Sequence, residues 1–170
     1  MSETIAPSPD YNDPKEVYAF FGLTYYQAAV LERGVVNLAV AMLAKQTPGV
    51  TVSDIETLFD SFDMKTFGQI LHVAKKHFDL EDPLLEKLKI SLKKRNYLAH
   101  DFYVEHDLNM STFEGRKKMI DELIEHLKYL KSADDELDQI WKNSWEIFGI
   151  TPEVIEQKMS EYLDAWQKND

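Results

Sequence analysis

Cysteine is absent from this chain of 170 residues. With it go disulfides, thiolate zinc sites, iron–sulfur clusters and cysteine nucleophiles. The absence fits a cytoplasmic protein, the location expected here, as it also fits many secreted ones. Glycine and proline are scarce, six of each and mostly well separated, which leaves long stretches free for helix. The glycines stand at 22, 34, 49, 68, 115 and 149, never closer than 12 residues, so no glycine-rich phosphate loop exists. Long apolar runs are missing too. The longest, Leu38 to Ala44, has seven residues against the roughly 20 that cross a bilayer, and no membrane span is expected. Residues 1–13 are acidic and proline-bearing without an apolar signal core, and read as a flexible tail. No Gly-x-Ser-x-Gly elbow, His-Glu-x-x-His helix or Asp-rich calcium loop occurs.

What is present describes one ordinary globular domain over residues 14–170, with 44% hydrophobic and 29% charged residues. The net charge of −11 argues against a general nucleic-acid coat protein. That charge is uneven. Between Lys75 and Arg95 seven bases face four acids, so this stretch is +3 and the remainder −14. On charge alone, the simplest account of the stretch is a solvated helix face.

The hydrophobic pattern is helical throughout. A short helix is expected from Pro14 to Leu23, followed by a segment from Thr24 to Lys45 that is apolar on nearly every face, the mark of a buried central helix. Thr47-Pro48-Gly49 breaks it, and Ser53 with Glu56 forms a capping box for the next helix. Lys65 to Phe78 follows, with Phe67, Ile70, Leu71 and Ala74 at helical spacing. Asp82-Pro83 opens a helix with a stripe of Leu84, Leu85, Leu88, Leu92 and Leu98. Ser111 and Glu114 form another capping box before a long amphipathic segment, with a bend expected near Ser132–Asp135. Thr151-Pro152 restarts a last helix with Ile155, Met159, Tyr162, Leu163 and Trp166 on one face. The expectation is an all-α, up-and-down bundle of five to seven helices with no internal repeat.

Metal chemistry finds little support. His72 and His77 are five apart, His100 and His106 six apart, and neither spacing puts two imidazoles on one helical face. No metal and no cofactor is expected. His126 reads as a surface or boundary residue, and the acids Asp134, Asp135 and Glu136 as solvated helix surface.

One constellation stands out: Lys93-Lys94-Arg95-Asn96-Tyr97-Leu98-Ala99-His100, followed by the aromatics Phe102 and Tyr103. Arg, a polar residue, three mostly apolar residues and then His, late in a bundle helix, resembles the R-x4-6-H signature of HEPN-domain proteins. The resemblance extends to the helical pattern of roughly residues 15–148, with only 95–100 motif-specific. It implies an all-α fold, a homodimer, and metal-independent ribonuclease activity of the kind found in toxins of toxin–antitoxin systems and in phage-defence effectors. Arg95 takes the place of the motif arginine, Asn96 of the polar residue after it, and His100 of the motif histidine. One subgroup carries, two places after the histidine, a tyrosine that a partner enzyme modifies with AMP. Here that place holds Phe102, and Tyr103 falls one position late.

The residue types suit the chemistry independently. Cleaving RNA without a metal needs a group titrating near neutrality to take the 2′-hydroxyl proton, and histidine suits this. It also needs a permanent cation for the charge growing on phosphorus, which arginine supplies. Asn96, one turn before His100, could orient the imidazole or hold a phosphate oxygen. Lys93 and Lys94 would hold the RNA backbone, with Tyr103 beside them.

The plainer account stands next to it. Arg95 could pair with an acid such as Glu32, which needs a partner inside its apolar helix, and His100 could be a hydrogen-bonded core histidine. Phe102, Tyr103, Tyr25, Tyr26 and the tryptophans are read as core rather than base-stacking platforms. Two functions follow: an endoribonuclease acting on RNA, with an antitoxin or other protein as possible partner, or a catalytically silent module that binds a protein. On a regular helix Arg95 and His100 diverge by about 140°, so a shared phosphate site calls for a homodimer.

Overall fold

The structure, a computed structural model, describes residues 6–77 and 82–167, with side chains placed at 6–76 and 83–167. The expectations that touch Phe78, the side chain of His77 and residues 1–5 or 168–170 lie outside these. Among the described residues every regular element is a helix. They are α1 (Lys15–Gln46), α2 (Val52–Asp63), α3 (Phe67–His77), α4 (Asp82–His100), α5 (Phe102–Glu105), α6 (Phe113–Glu146) and α7 (Pro152–Gln167), with a 3-10 turn at Asn109–Ser111 before α6.

The first two expected helices are one. α1 runs 32 residues without a break, because nothing near Leu23 interrupts it. Gly22 sits in open space, and the Thr24 hydroxyl donates back to the Phe20 carbonyl within the same helix. By length and composition α1 is the one described helix that could span a bilayer, although it contains no long unbroken apolar run. Its most apolar window is 56% buried within the protein, and its packing is that of a core helix. Leu31, Val35, Leu38 and Ala39 are fully covered.

The partner that covers most of α1 is α6. Its Met119, Ile120, Leu123, Leu130 and Leu137 are buried at intervals of one, three, seven and seven residues along one face. Thr24 also donates to the Leu123 carbonyl, and Gly34 stands against Leu137, so the two helices run in the same direction. α4 runs opposite to both. Its Lys87 meets Glu136 of α6, and its Tyr97 meets His126. α3 closes the core with Phe67, Ile70, Leu71 and Ala74, as its spacing predicts.

Several local details differ from expectation. The cap of α2 is Thr51 with Asp54, not Ser53 with Glu56: the Thr51 hydroxyl accepts from Asp54 N while the Asp54 carboxylate accepts from Thr51 N. α6 starts at Thr112, whose hydroxyl accepts from Gly115 N, rather than at Ser111. Through Ser132–Asp135, the place of the expected bend, the helix is unbroken. Asp134 is accommodated on the inner side because Gln27 of α1 donates to it at 3.0 Å. Residues 6–13, expected as part of a flexible tail, form no helix but lie on α6. The Tyr11 hydroxyl donates to Asp121 at 2.8 Å, and Arg116 Nε donates to the Tyr11 carbonyl.

The apolar face of α7 exists as its spacing predicts, yet no residue of α7 is buried. Trp166 is 65% and Tyr162 77% exposed. Gly149, with φ of 74°, turns the chain out of α6 in a conformation that a side chain would strain.

Candidate functional site

The residues singled out by the motif all lie on the last three turns of α4, and their directions follow from its regular geometry. Lys93, Asn96 and His100 recur at three and four residues and form one solvent-facing row, all three exposed. Among the described residues the His100 side chain makes no hydrogen bond, and it is exposed, so it is not the core histidine of the plainer account. Lys94 points toward α6, its ammonium 5.2 Å from the Tyr129 ring centre. Arg95 points toward α1, its Nε 3.8 Å from Glu32 Oε2, with 28% and 24% of the two side chains exposed. The three consecutive bases therefore fan out rather than forming one cluster.

Arg95 and His100 do not meet. The link between the arginine and the exposed row is Asn96, whose side-chain oxygen accepts from an Arg95 guanidinium nitrogen at 3.2 Å. Asn96 is thus turned toward the cation, not toward the imidazole one turn later. Arg95 has the partner foreseen for Glu32, held loosely enough for a phosphate oxygen to compete.

The surrounding basic stretch is neutralised in part by neighbours. Lys87 pairs with Glu136 at 2.6 Å, and Lys89 pairs with Glu86. The Lys89 ammonium holds the Glu86 carboxyl below the usual carboxylate range. This is the solvated helix face that charge alone suggested, with Lys75, Lys76 and Lys93 facing solvent.

The aromatics divide. Phe102 is core, and it packs against Tyr97 and His106. Tyr103, 38% exposed, caps a run of rings with Phe21 and Tyr18 at 4.9 and 6.3 Å between centres. Tyr25 and Tyr26 are exposed as well, contrary to the core expectation, because they lie on the outer side of α1, whose inner side buries Val17, Phe20, Thr24 and Ala28. Trp145 is buried and Trp141 partly so, whereas Trp166 is exposed.

The polar network that sequence reasoning missed lies just behind the motif. His106, buried, contacts Glu122 of α6 through Nε2 at 3.1 Å and Asn109 through Nδ1 at 2.6 Å. Tyr97 donates to Glu105 at 3.2 Å, and burial, then Glu122 and Glu105, push its hydroxyl well above the usual tyrosine range. His126, expected at the surface or boundary, is only 9% exposed, and its Nδ1 has no partner. Burial first, and Lys94 second, hold its pKa below 6.5. This network ties α4, α5 and the 3-10 turn to α6. Its sequence signal was faint, since the glutamates and the asparagine recur at no telling interval.

Among the described residues no group of three or more His, Asp or Glu side chains is placed to hold a metal ion. The chain matches no family model, no curated protein and no solved structure. Fold and site together define an all-α protein, with seven α-helices among the described residues, bearing an exposed Lys–Asn–His row beside a partly buried arginine.

Proposed function

We propose that the protein is a metal-independent endoribonuclease of the HEPN type, built on an up-and-down helical bundle and working as a homodimer in the cytoplasm. The observation that supports this reading is the exposure of His100 in one row with Asn96 and Lys93, next to an arginine held by a single, loose ion pair. In this reaction a 2′-hydroxyl gives its proton to His100 and its oxygen attacks the adjacent phosphorus. The bond to the 5′-oxygen breaks, that oxygen takes a proton from solvent, and a 2′,3′-cyclic phosphate remains. Arg95 leaves Glu32 to stabilise the charge on the phosphorane, and Asn96 steers it there. Lys93, Lys94 and Tyr103 hold the RNA strand. Because Arg95 and His100 diverge on one regular helix, the arginine of one copy serves the histidine of the other across a two-fold axis. Toxin or phage-defence activity, with an antitoxin as partner, is the setting this chemistry suits.

The Arg95–Glu32 pair favours a second reading, a catalytically silent helical module that binds a protein, in which the motif serves packing. Incubation of purified protein with single-stranded RNA separates the two. The ribonuclease reading expects cyclic-phosphate ends, unaffected by EDTA and abolished by His100→Ala with helix content unchanged. Undiminished cutting by His100→Ala, or no cutting at all, sinks it.

A further inference from the structure

α7 is a 16-residue helix with an apolar face that no described residue of its own chain buries. An isolated helix of that length is marginal in water, and apolar faces of this kind are normally covered. Among the described residues, no side chain of α7 belongs to the buried core that α1, α3, α4 and α6 share. Its stripe is Ile155, Met159, Tyr162 and Trp166, with Leu163 beside it, and Met159, Tyr162, Leu163 and Trp166 are all more than half exposed.

The spacing of the stripe says what covers it. From Ile155 the steps are four, three and four residues, which is the seam of a coiled coil and reads the same in both directions. A second α7 laid antiparallel therefore meets it layer by layer. Ile155 faces the other copy's Trp166, Met159 faces the other copy's Tyr162, and the same two layers repeat on the far side of the two-fold axis. Each layer sets a smaller side chain against an aromatic one. We infer that α7 is a self-association helix, and that its occupant is the α7 of a second copy of this chain, antiparallel and centred between Met159 and Tyr162.

Charge and area agree with that occupant. Glu153 and Asp164 lie on the back of the helix, away from the seam, by about 140° and 160°. Glu161 is already paired with Lys158 at 2.6 Å. In this register Glu156 lies nearest the other copy's Leu163, not another acid. No like charges are brought together. Two aromatic side chains bury about 150–250 Å² each when fully covered, and with the aliphatic residues the pair of helices removes about 1,000 Å² from water. That meets the lower bound of a specific interface. The inference does not depend on nuclease activity, because it rests on α7 alone.

The absence of cysteine makes the test direct. Sedimentation of the full chain should show a reversible monomer–dimer equilibrium, and Met159→Glu with Tyr162→Glu should shift it at least tenfold toward monomer. The melting of the α1–α6 core should stay unchanged. In the cysteine-free background, Ile155→Cys combined with Trp166→Cys should give a disulfide-linked dimer on mild oxidation. Ile155→Cys alone should give almost none, since in the antiparallel register the two copies of position 155 are about 16 Å apart along the axis. A chain that stays monomeric at all concentrations overturns the inference. So does a dimer indifferent to the two glutamates, or efficient linkage by Ile155→Cys alone, which marks a parallel seam. RNA cleavage assayed on the same variants reads the ribonuclease proposal separately: a dimer indifferent to the two glutamates, or a parallel seam, overturns the inference on α7 alone, whereas a chain monomeric at all concentrations also removes the composite Arg95–His100 site.

Discussion

Arg95 of α4 reaches across to Glu32 of α1, its Nε 3.8 Å from the carboxylate, at a boundary where both side chains are about a quarter exposed. The contact is long for an ion pair, and a pair this wet contributes up to about 1 kcal/mol. The arginine is therefore available at small cost.

Replacing Glu32 with Gln tests that. Thermal stability should change by no more than about 3 °C, the shift that 1 kcal/mol gives in a chain of this size. If Arg95 serves RNA, the released guanidinium should raise RNA affinity severalfold, measured by fluorescence anisotropy at fixed salt. A drop in affinity would assign the pair to structure alone.

Lys93→Ala with Lys94→Ala should weaken RNA binding and flatten its salt dependence, because fewer counterions are released. Turnover at saturating RNA should change much less. Arg95→Ala should act on turnover instead, as a group engaged in the transition state does. Equal effects of both replacements on both quantities would show the roles to be wrongly assigned.

Gly115 stands where the 3-10 turn presses on the start of α6. A Cβ there would lie 2.1 Å from the Asn109 carbonyl oxygen and 2.6 Å from its Cα, both backbone atoms that cannot step aside. Gly115→Ala should cost about 3 kcal/mol and lower Tm by about 10 °C, read by circular dichroism. Gly22→Ala, with nothing within 4 Å, is the control and should be neutral or slightly stabilising.

Asp134 is a carboxylate on the inner side of α6. Burial, opposed by the Gln27 hydrogen bond, raises its pKa above 3.8. The folded chain thus holds a proton that the unfolded chain has already lost, so stability declines as pH rises from 3.8 through the raised value. Asp134→Asn keeps an acceptor for Gln27 and removes the charge. It should gain about 1 kcal/mol at pH 7, a rise of about 3 °C in Tm, with little gain below pH 4. A loss of stability at pH 7 would show that the charge itself is needed.

His126 titrates with the opposite slope. Its folded pKa lies below 6.5, so below that pH the unfolded chain binds a proton that the folded chain refuses. Stability is complete above pH 6.5 and is lost as pH falls toward the lowered value. His126→Phe preserves the ring contact with Tyr97 and removes the unpartnered Nδ1. Denaturant titrations between pH 5 and 7 should show a shallower pH dependence for the variant, and an unchanged slope would place the titration elsewhere.

The sequence by itself determined the class of fold. With few glycines and prolines and apolar residues at three- and four-residue steps, local hydrogen bonding and one buried face per helix leave all-α as the outcome. It also determined that Arg95 and His100 diverge, since five residues on a regular helix turn about 140°. What periodicity cannot carry is the position of a helix relative to its neighbours. Only the tertiary structure decided that Tyr25, Tyr26 and Trp166 are exposed while His106 and His126 are buried. The same amphipathic spacing serves α3, which is covered, and α7, which is not. The pattern records that a face needs covering, whereas coverage depends on which elements the chain folds against it. Networks such as Glu122–His106–Asn109 join residues from separate elements, and no spacing along one helix encodes them.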